Sequence, residues 1–323
     1  MKVLVLTPLH DDNKKRIEEA FPDFDFTYSS HSSVTQQLVD GTDIIIGNIG
    51  THVNINSEHI QMLQLNSAGS DSYVKNNRLN PKTILANGSG VHSDAMAEHT
   101  IGMILATNKC FPQYILNMKE HLWHDESSYK EIYGSTVLIV GFGDIGYELA
   151  RRLKPFNCHI IGIKRRPSEV PEYVDEIYTT EHLDELLPKA DYIISCLPHT
   201  KDTIHLFNYD RFSMMKEDAT FVNIGRGSAV DTQALKDVLD EGRLHSVCLD
   251  VLEQEPLDAS DSLWDYPKVF ITPHVAGGYA RKSARDNFTQ LVIRNIQHFL
   301  NGEKLENEVD FQTGYRKVVT YKD

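Results

Sequence analysis

Three residues in the last third of the chain have side chains suited to acid–base chemistry on a small anionic molecule. Arg226, Glu255 and His274 each follow a strand-like apolar run. A guanidinium can bind a carboxylate with two hydrogen bonds and polarise the adjacent carbonyl. A histidine has an ordinary pKa of about 6.5, and a nearby carboxylate favours its protonated form, which can give a proton to a ketone oxygen. Taken singly, these residues would equally serve as a surface ion pair, a charge at a helix start and a hydrogen-bonded loop residue.

A glycine-rich segment, Gly141-Phe142-Gly143-Asp144-Ile145-Gly146, lies between a strand-like run at residues 135–140 and a helix-favouring stretch. In this spacing the first glycine permits a tight turn, the second lets the backbone approach a phosphate, and the third lets the helix lie close to the strand. The positive end of the helix then faces the anion. The segment predicts a binding site for the pyrophosphate of a dinucleotide. The alternative is a turn that only joins a strand to a helix.

A basic run, Lys164, Arg165 and Arg166, follows the next strand-like run at residues 159–163. In NAD-binding versions of such a fold an acidic residue stands here and accepts hydrogen bonds from the adenosine ribose. A carboxylate would repel a 2′-phosphate, whereas a guanidinium matches its geometry. The run therefore favours NADP(H) over NAD(H). A solvated basic turn is the simpler alternative.

Short apolar runs alternate with helical stretches along most of the chain. The runs lie at residues 2–6, 43–46, 62–65, 83–86, 135–140, 159–163, 191–198, 220–224, 246–251 and 269–274. This order predicts an α/β fold with parallel sheets and helices on their faces. Because ligands bind at the carboxyl ends of such strands, the loops at 47–50, 66–71 and 87–90 are candidate pocket walls. Ordinary turns fit their composition equally well.

Two longer helical patterns connect these regions. One covers residues 93–118, is interrupted near Pro112, and could carry the chain from one domain to the next; the other, at 284–300, could return it. Residues 120–133 form a polar connecting arm that is rich in aromatic side chains. Its Trp123 and Tyr129 would either reach a partner subunit or pack within the same chain.

The composition is that of an ordinary globular protein. The chain has 323 residues, so two domains are expected, and its net charge of −14 disfavours nonspecific binding to nucleic acid or anionic membrane. No run has transmembrane length, and the four cysteines form no C-x-x-C pair. We therefore expect a cytoplasmic protein. His99, His121 and His124 lack metal-ligand spacing, so we expect no metal.

Four ordered motifs make the chain resemble the D-isomer-specific 2-hydroxyacid dehydrogenases. They are the glycine-rich segment, the run from Asn223 to Gly227, the run from Asp250 to Leu257, and Thr272-Pro273-His274-Val275-Ala276-Gly277. The resemblance covers almost the full chain. It implies two Rossmann-like domains, with a dinucleotide-binding domain at 101–285 inserted into a substrate domain at 1–100 and 286–323. It also implies an active site in the cleft between the domains, and a homodimer.

The resemblance assigns roles to individual residues. Arg226 would bind the substrate, Glu255 would tune the acid/base His274, and backbone amides near Ala68 and Gly69 would hold the substrate carboxylate. Asp250 would contact the nicotinamide carboxamide. Leu197, Pro198 and Thr203 would line the adenosine side. The remaining cofactor contacts implied are Gly141, Gly143, Asp144, Ile145, Gly146, Lys164, Arg165, Arg166, Ile224, Gly225, Arg226, His274 and Gly277.

The departure from most relatives at Lys164 and Arg165 makes the chain similar to the NADP-preferring glyoxylate/hydroxypyruvate reductases. Formate dehydrogenases carry glutamine where Glu255 stands, so formate oxidation is not expected. The expected reaction is reduction of small 2-oxo acids to D-2-hydroxy acids, with His274 as proton donor. The alternative is a dinucleotide-responsive binding protein of the same fold without turnover. The presence of Arg226, Glu255 and His274 together argues against it.

Overall fold

The computed structural model describes residues 1–74 and 78–312 and divides the chain into two compact units. Unit 2 comprises Ser93–Gly277; unit 1 comprises Met1–His92 and the chain from Gly278 onward. These units divide the chain after His92 and after Gly277, just before the helices that begin at Ser93 and Lys282. The domain boundaries at 100 and 285 implied by the resemblance stay a prediction.

Unit 1 is built on a five-stranded parallel sheet with the order β2-β1-β3-β4-β5. Its strands are β1 (Lys2–Val5), β2 (Asp25–Tyr28), β3 (Ile44–Ile46), β4 (Met62–Gln64) and β5 (Ile84–Ala86). Successive side chains alternate between the faces: Val3 and Val5 join one core, whereas Leu4 joins the other. Both faces are covered, which accounts for the continuous apolar runs.

Four helices accompany this sheet. They are α1 (Asp11–Ala20), α2 (Gln36–Asp40), α3 (Asp71–Val74) and α10 (Lys282–Asn301). On one face, α1 contributes Ile17 and α10 contributes Phe288, Val292 and Ile296 to the same core. In the structure, the helix predicted at 284–300 is longer than predicted by two residues at its start and by one at its end.

A buried polar network ties α10 to the middle of this sheet. Asn295 Nδ2 donates to Gln64 Oε1 at 2.6 Å, and both side chains are fully buried. Asn295 also exchanges hydrogen bonds with the backbone of Glu306 at 2.7 and 3.1 Å. Gln64 Nε2 donates in turn to the carbonyl of Asn87, which follows β5. The network thus places the end of β5 relative to β4.

Unit 2 is built on a seven-stranded parallel sheet with the order β12-β11-β10-β9-β6-β7-β8. Its strands are β6 (Thr136–Val140), β7 (His159–Lys164), β8 (Glu176–Thr179), β9 (Tyr192–Ser195), β10 (Thr220–Asn223), β11 (Ser246–Leu249) and β12 (Val269–Ile271). The strand order reverses direction at β6, which pairs with β7 on one side and β9 on the other. Ligands of doubly wound sheets bind at the carboxyl end of such a reversal.

The helices of unit 2 are α4 (Ser93–Asn108), α5 (Phe111–Lys119), α6 (Asp144–Leu153), α7 (Leu183–Leu186), α8 (Tyr209–Met214) and α9 (Thr232–Asp240). The predicted helix at 93–118 is divided at Cys110, which has a left-handed φ of 56°, and not at Pro112. Pro112 is the second residue of α5, where a missing N–H costs no helical hydrogen bond. The fold-class prediction is confirmed: both units are parallel α/β sheets, and one is inserted into the other. Within the described residues, no helix combines the length and apolar character needed to cross a bilayer.

The Asn295 network yields a stability prediction. Asn295→Ala removes the partner of a fully buried amide oxygen of Gln64 and two bonds to Glu306, and we expect a loss of about 3 kcal/mol in the free energy of unfolding. Asn301→Ala, at the exposed end of the same helix, is the control. Urea unfolding followed by circular dichroism measures both variants. Equal losses would contradict the role given to the network.

Candidate active site

The loops that carry the predicted catalytic residues lie at one edge of the unit 2 sheet. β10, β11 and β12 are neighbours and run parallel, so their carboxyl ends meet at the same edge. Arg226 follows β10 by three residues, and His274 follows β12 by three residues. Glu255 lies on the loop between β11 and β12. The sheet therefore collects a cation, a carboxylate and an imidazole from three successive strands.

His274 and Glu255 form a hydrogen-bonded pair. His274 Nδ1 lies 2.7 Å from Glu255 Oε2. The other carboxylate oxygen, Oε1, accepts from the backbone N–H of Leu252 at 2.9 Å, which fixes the carboxylate plane. Because a carboxylate accepts, Nδ1 carries a proton, and Nε2 makes no hydrogen bond within the described part of the chain. The imidazole is half exposed, so Nε2 is open to a ligand.

Asp250 holds the loop on which His274 stands. Its carboxylate is 2% exposed and accepts from Thr272 Oγ1 at 2.6 Å, from Val275 N at 2.9 Å and from Ala276 N at 3.0 Å. The Asp250 carbonyl also accepts from His274 N at 2.8 Å. These bonds keep His274 at φ 52°, a left-handed conformation rare for a residue with a side chain. The nicotinamide contact assigned to Asp250 stays a prediction, whereas its contact with the His274 loop is observed.

His99 takes part in the same arrangement. Its Nε2 lies 3.0 Å from Thr272 Oγ1 and 3.6 Å from Asp250 Oδ1. Since Thr272 donates its hydroxyl proton to Asp250, His99 must donate to Thr272. In the described ranges, no group of three or more histidine, cysteine, aspartate or glutamate side chains could hold a metal ion.

Arg226 is exposed between two glycines that bring neighbouring loops together. One of its five donors, on Nη1, binds the carbonyl of Gly225 at 2.8 Å. A Cβ at Gly225 would lie 2.5 Å from Leu197 N, and one at Gly227 would lie 1.8 Å from the Leu252 carbonyl oxygen. No side chain fits at either position. The glycines let the arginine loop touch both the end of β9 and the loop that carries Glu255.

Two features of this geometry were not predicted from the sequence. They are the close approach of Gly227 to Leu252 and the hydrogen-bonded pair of His205 and Glu253. Gly227 ends the motif that begins at Asn223, and its close approach to Leu252 sets the glutamate loop in place. His205 Nε2 is hydrogen-bonded to Glu253, whose other oxygen accepts from Thr232 Oγ1 at 2.8 Å. The hydrogen bond with Glu253 raises the pKa of His205. Glu253 is only two residues from Glu255, but neither residue of the pair stands in a pattern that would have shown the contact.

The glycine-rich segment has the geometry that its spacing predicts. Gly141 follows β6 with φ +92°, and a Cβ there would lie 2.9 Å from the backbone of Cys196. A Cβ at Gly143 would meet nothing within 4 Å, so the space in front of this residue is open. A Cβ at Gly146 would lie 3.1 Å from the Phe142 ring, which reflects close packing of α6. Gly141 makes the turn, Gly143 leaves space for a phosphate to approach the backbone, and Gly146 lets α6 pack closely on its neighbours. Together the three positions fit a dinucleotide pyrophosphate.

The other predicted cofactor contacts lie along the same edge. Lys164 ends β7, the neighbour of β6, and Arg165 and Arg166 follow it with exposed side chains. The backbone N–H groups of Gly141 and Phe142 both donate to the Ile163 carbonyl, so the basic run starts beside the glycine turn.

The loop after β9 and the residues around it complete this edge. Leu197 is a buried core residue, whereas Pro198 is exposed and its carbonyl accepts from Thr203 Oγ1 at 2.6 Å. Ile224 is buried beside Ser195, and its N–H donates to the Ser195 carbonyl at 3.0 Å. Asp144 and Ile145 open α6, and Gly277 ends unit 2.

In unit 1, the loop that contains Ala68 and Gly69 presents its amides outward. The carbonyls of residues 66–69 each accept a hydrogen bond; their donors, in chain order, are Tyr279 Oη at 2.6 Å, Gly88 N at 2.8 Å, Asn87 Nδ2 at 2.8 Å and Ser67 Oγ at 2.9 Å. Across residues 1–74 and 78–312, the N–H groups of Ser67, Ala68 and Gly69 have no acceptor. Consecutive N–H groups without an acceptor are able to bind an anion.

Comparisons with known proteins agree with this geometry. Residues 101–276 match the family model described as D-isomer specific 2-hydroxyacid dehydrogenase, NAD binding domain. A glyoxylate reductase from Pyrococcus furiosus is 37% identical over 229 residues, which are 68% of this chain and 66% of that enzyme. The chain spans 51% to 66% of the length of the curated glyoxylate reductases it matches.

Solved structures extend the likeness to nearly the whole chain. A D-isomer specific 2-hydroxyacid dehydrogenase family protein from Aeromonas salmonicida has 30% identity and a TM-score of 0.85, with 96% of this chain and 99% of that one covered. An NADPH-dependent glyoxylate/hydroxypyruvate reductase from Sinorhizobium meliloti, in complex with NADP and sulfate, has 28% identity and a TM-score of 0.78, with 97% and 99% covered. The chain belongs to the D-isomer specific 2-hydroxyacid dehydrogenase family, and its residues 101–276 match that family's NAD binding domain.

Proposed function

We propose that this protein reduces small 2-oxo acids to D-2-hydroxy acids, with NADP(H) preferred over NAD(H). The observation that carries the proposal is the His274–Glu255 pair, whose imidazole Nε2 is open to a ligand at the sheet edge that also bears Arg226. A proton donor beside a carboxylate-binding cation is what reduction of a 2-oxo acid requires. Small 2-oxo acids such as glyoxylate and hydroxypyruvate are the proposed substrate class.

The two units take separate roles in this proposal. Unit 2 holds the dinucleotide, with Gly141, Gly143 and Gly146 around its pyrophosphate. When bound, the reduced nicotinamide supplies a hydride. The amides of Ala68 and Gly69 in unit 1 and the guanidinium of Arg226 in unit 2 are each proposed as a carboxylate-binding group. These assignments follow the family and the open amides of the loop.

His274 gives its proton to the carbonyl oxygen from Nε2 as that oxygen becomes a hydroxyl. Glu255 keeps Nδ1 protonated and orients the ring, so that Nε2 is the atom that exchanges a proton with the substrate. Among the described residues Arg226 donates to the Gly225 carbonyl from Nη1, and its other donors bind the carboxylate and draw electron density from the adjacent carbonyl.

The basic run supports a preference for NADP(H). Lys164, Arg165 and Arg166 follow β7 beside the glycine turn, at the position where NAD-binding folds carry a carboxylate. Two guanidinium groups and an ammonium there favour a 2′-phosphate by charge-assisted hydrogen bonding. The similar Sinorhizobium reductase is described as NADPH-dependent.

The proton-donor assignment predicts that His274→Ala reduces turnover about 10²- to 10⁴-fold while NADPH binding is largely retained, because the ring is the proton donor but only one of many groups expected to contact the dinucleotide. Steady-state NADPH oxidation and NADPH fluorescence titration measure the two quantities. His182→Ala, a partly exposed histidine of the same unit, is the control. Near-normal turnover of the His274 variant would exclude the acid role.

The coenzyme assignment predicts that Arg165→Ala weakens NADPH binding roughly 10- to 100-fold and leaves NADH binding almost unchanged, since only NADPH has the 2′-phosphate. Titration of both coenzymes against the variant measures this. Arg151→Ala, whose guanidinium pairs with Glu148 on α6, is the matched control. Equal weakening of both coenzymes would refute the 2′-phosphate contact.

We also propose that the protein forms a homodimer through the segment 111–133. The arm folds back on α5, where Tyr114 and Tyr129 share a hydrogen bond of 2.7 Å and Asn117 O accepts from Leu122 N at 2.9 Å. This compact segment leaves Trp123 fully exposed and Met118 about three-quarters exposed. Monomers seldom expose so much apolar surface, and a two-fold contact would let the patch cover itself.

The dimer proposal predicts that Trp123→Glu converts the dimer to a monomer at micromolar protein concentration. A carboxylate that is buried without a partner at the dimer contact opposes association. Leu300→Glu, at the exposed end of α10, leaves the dimer intact. Sedimentation velocity distinguishes these outcomes. A wild-type monomer, or a variant that remains dimeric, would contradict the assignment.

A further inference from the structure

The orientation of the amides in the loop after β4 depends on what holds their carbonyls. In a planar trans peptide, the carbonyl of one residue and the N–H of the next point in opposite directions. A donor that fixes the carbonyl of Asn66 therefore also aims the N–H of Ser67. Gly88 N and Asn87 Nδ2 act in the same way on the amides of Ala68 and Gly69. Each outward amide thus has an identifiable group behind it.

Asn66 is held at three points. Its N–H donates to Asn48 Oδ1 at 3.3 Å, and its own Oδ1 accepts from Asn48 N at 3.2 Å. Its carbonyl accepts from Tyr279 Oη at 2.6 Å. Asn48 fixes the residue but leaves the plane of the next peptide free to rotate. The Tyr279 hydroxyl fixes that plane, and a hydrogen bond between the His92 imidazole and the Asn66 backbone assists it.

Tyr279 is itself braced within unit 1. Its ring meets His92 edge-on with centroids 4.9 Å apart, and Phe288 edge-on at 5.5 Å. The preceding Gly278 donates its N–H to His92 Nδ1 at 3.3 Å. His92 and Gly278 are the residues at which the chain leaves unit 1 and returns to it. The brace therefore joins both crossing segments to the anion-binding loop.

The protonation states support these donor and acceptor roles. Burial lowers the pKa of His92, and the nearby Arg281 charge lowers it further, although a hydrogen bond to the Asn66 backbone opposes this shift. The imidazole is then neutral near pH 7, with Nδ1 as acceptor for Gly278. Burial raises the pKa of Tyr279, so its hydroxyl stays protonated and donates.

We propose that Tyr279 is a positioning residue for the substrate carboxylate: its hydroxyl turns the Ser67 N–H outward, as a third donor beside those of Ala68 and Gly69. This inference rests on the proposed function of the loop. It adds Ser67 as a binding group and names Tyr279, with His92 behind it, as the reason that the group is available. Tyr279 itself contacts no substrate.

Tyr279→Phe tests the inference, because it removes one hydroxyl and keeps the ring contacts. The expected result is a rise of about fivefold in KM for a 2-oxo acid, with kcat and the NADPH dissociation constant unchanged. Tyr28→Phe is the matched control, since its hydroxyl binds Glu18 elsewhere in unit 1 at 2.8 Å. An unchanged KM, or parallel changes in KM, NADPH binding and Tm, would overturn the proposal.

A binding measurement separates this inference from the proposed reaction. Oxamate, an unreactive analogue with the same carboxylate, is titrated into the protein–NADPH complex of the wild type and of Tyr279→Phe. Weakening of about fivefold in the variant supports the positioning role whether or not the wild type turns over. Equal oxamate affinities refute it. Absence of wild-type turnover on every 2-oxo acid would instead refute the proposed function.

Discussion

The candidate active site depends on one buried carboxylate. Asp250 directly follows β11, is almost fully buried, and uses both oxygens to accept hydrogen bonds from the loop after β12. A buried carboxylate is stable only when its oxygens are hydrogen-bonded, so the loop cannot leave without a large cost. His274 stands inside this loop in a left-handed conformation that an isolated peptide would disfavour. The Nδ1 contact with Glu255 is possible because the histidine backbone is fixed in this way.

In unit 1, uncharged groups hold the binding loop in the way that Asp250 holds the His274 loop in unit 2. The carbonyls of residues 66–68 accept from neighbouring segments and that of Gly69 accepts from Ser67 Oγ of the same loop, which leaves consecutive amides facing outward. Behind these donors lies the network of Gln64 and Asn295, which ties α10 to the sheet. In both units, buried polar groups behind the site determine the direction of the groups that are proposed to bind the substrate. This is the usual relation between a binding group and its supporting shell.

Much of this architecture was predictable from the sequence because buried parallel strands read as continuous apolar runs and because glycine spacing constrains a turn directly. The edge strands β2 and β8 were not predicted: each has four residues with partly exposed side chains, so neither forms an apolar run. The short helix α8 and the nine-residue α9 were missed as well.

The site residues were predictable where the chemistry restricts the residue type. They were not predictable where a contact between distant parts of the chain determines the position of a group. Arg226, Glu255 and His274 stand in ordered motifs, and the structure brings the latter two within 2.7 Å. By contrast, Asn66 and Tyr279 are 213 positions apart in the chain, and no spacing rule links them. The role of Asp250 in holding the His274 loop was also not predictable. The groups that donate to its carboxylate come close to it only when the loop after β12 folds back on β11.

The central claim is that this arrangement transfers a hydride to, and protonates, a 2-oxo acid. The most direct measurement incubates the wild-type protein with NADPH deuterated at both C4 positions and a panel of 2-oxo acids, including glyoxylate, hydroxypyruvate and bulkier members. The products are then examined by mass spectrometry and chiral chromatography. The account predicts NADPH oxidation with at least one acid, deuterium at C2 of the product and, where C2 is a stereocentre, the D-isomer. Tight NADPH binding without oxidation on any acid, or an L-product, would contradict it.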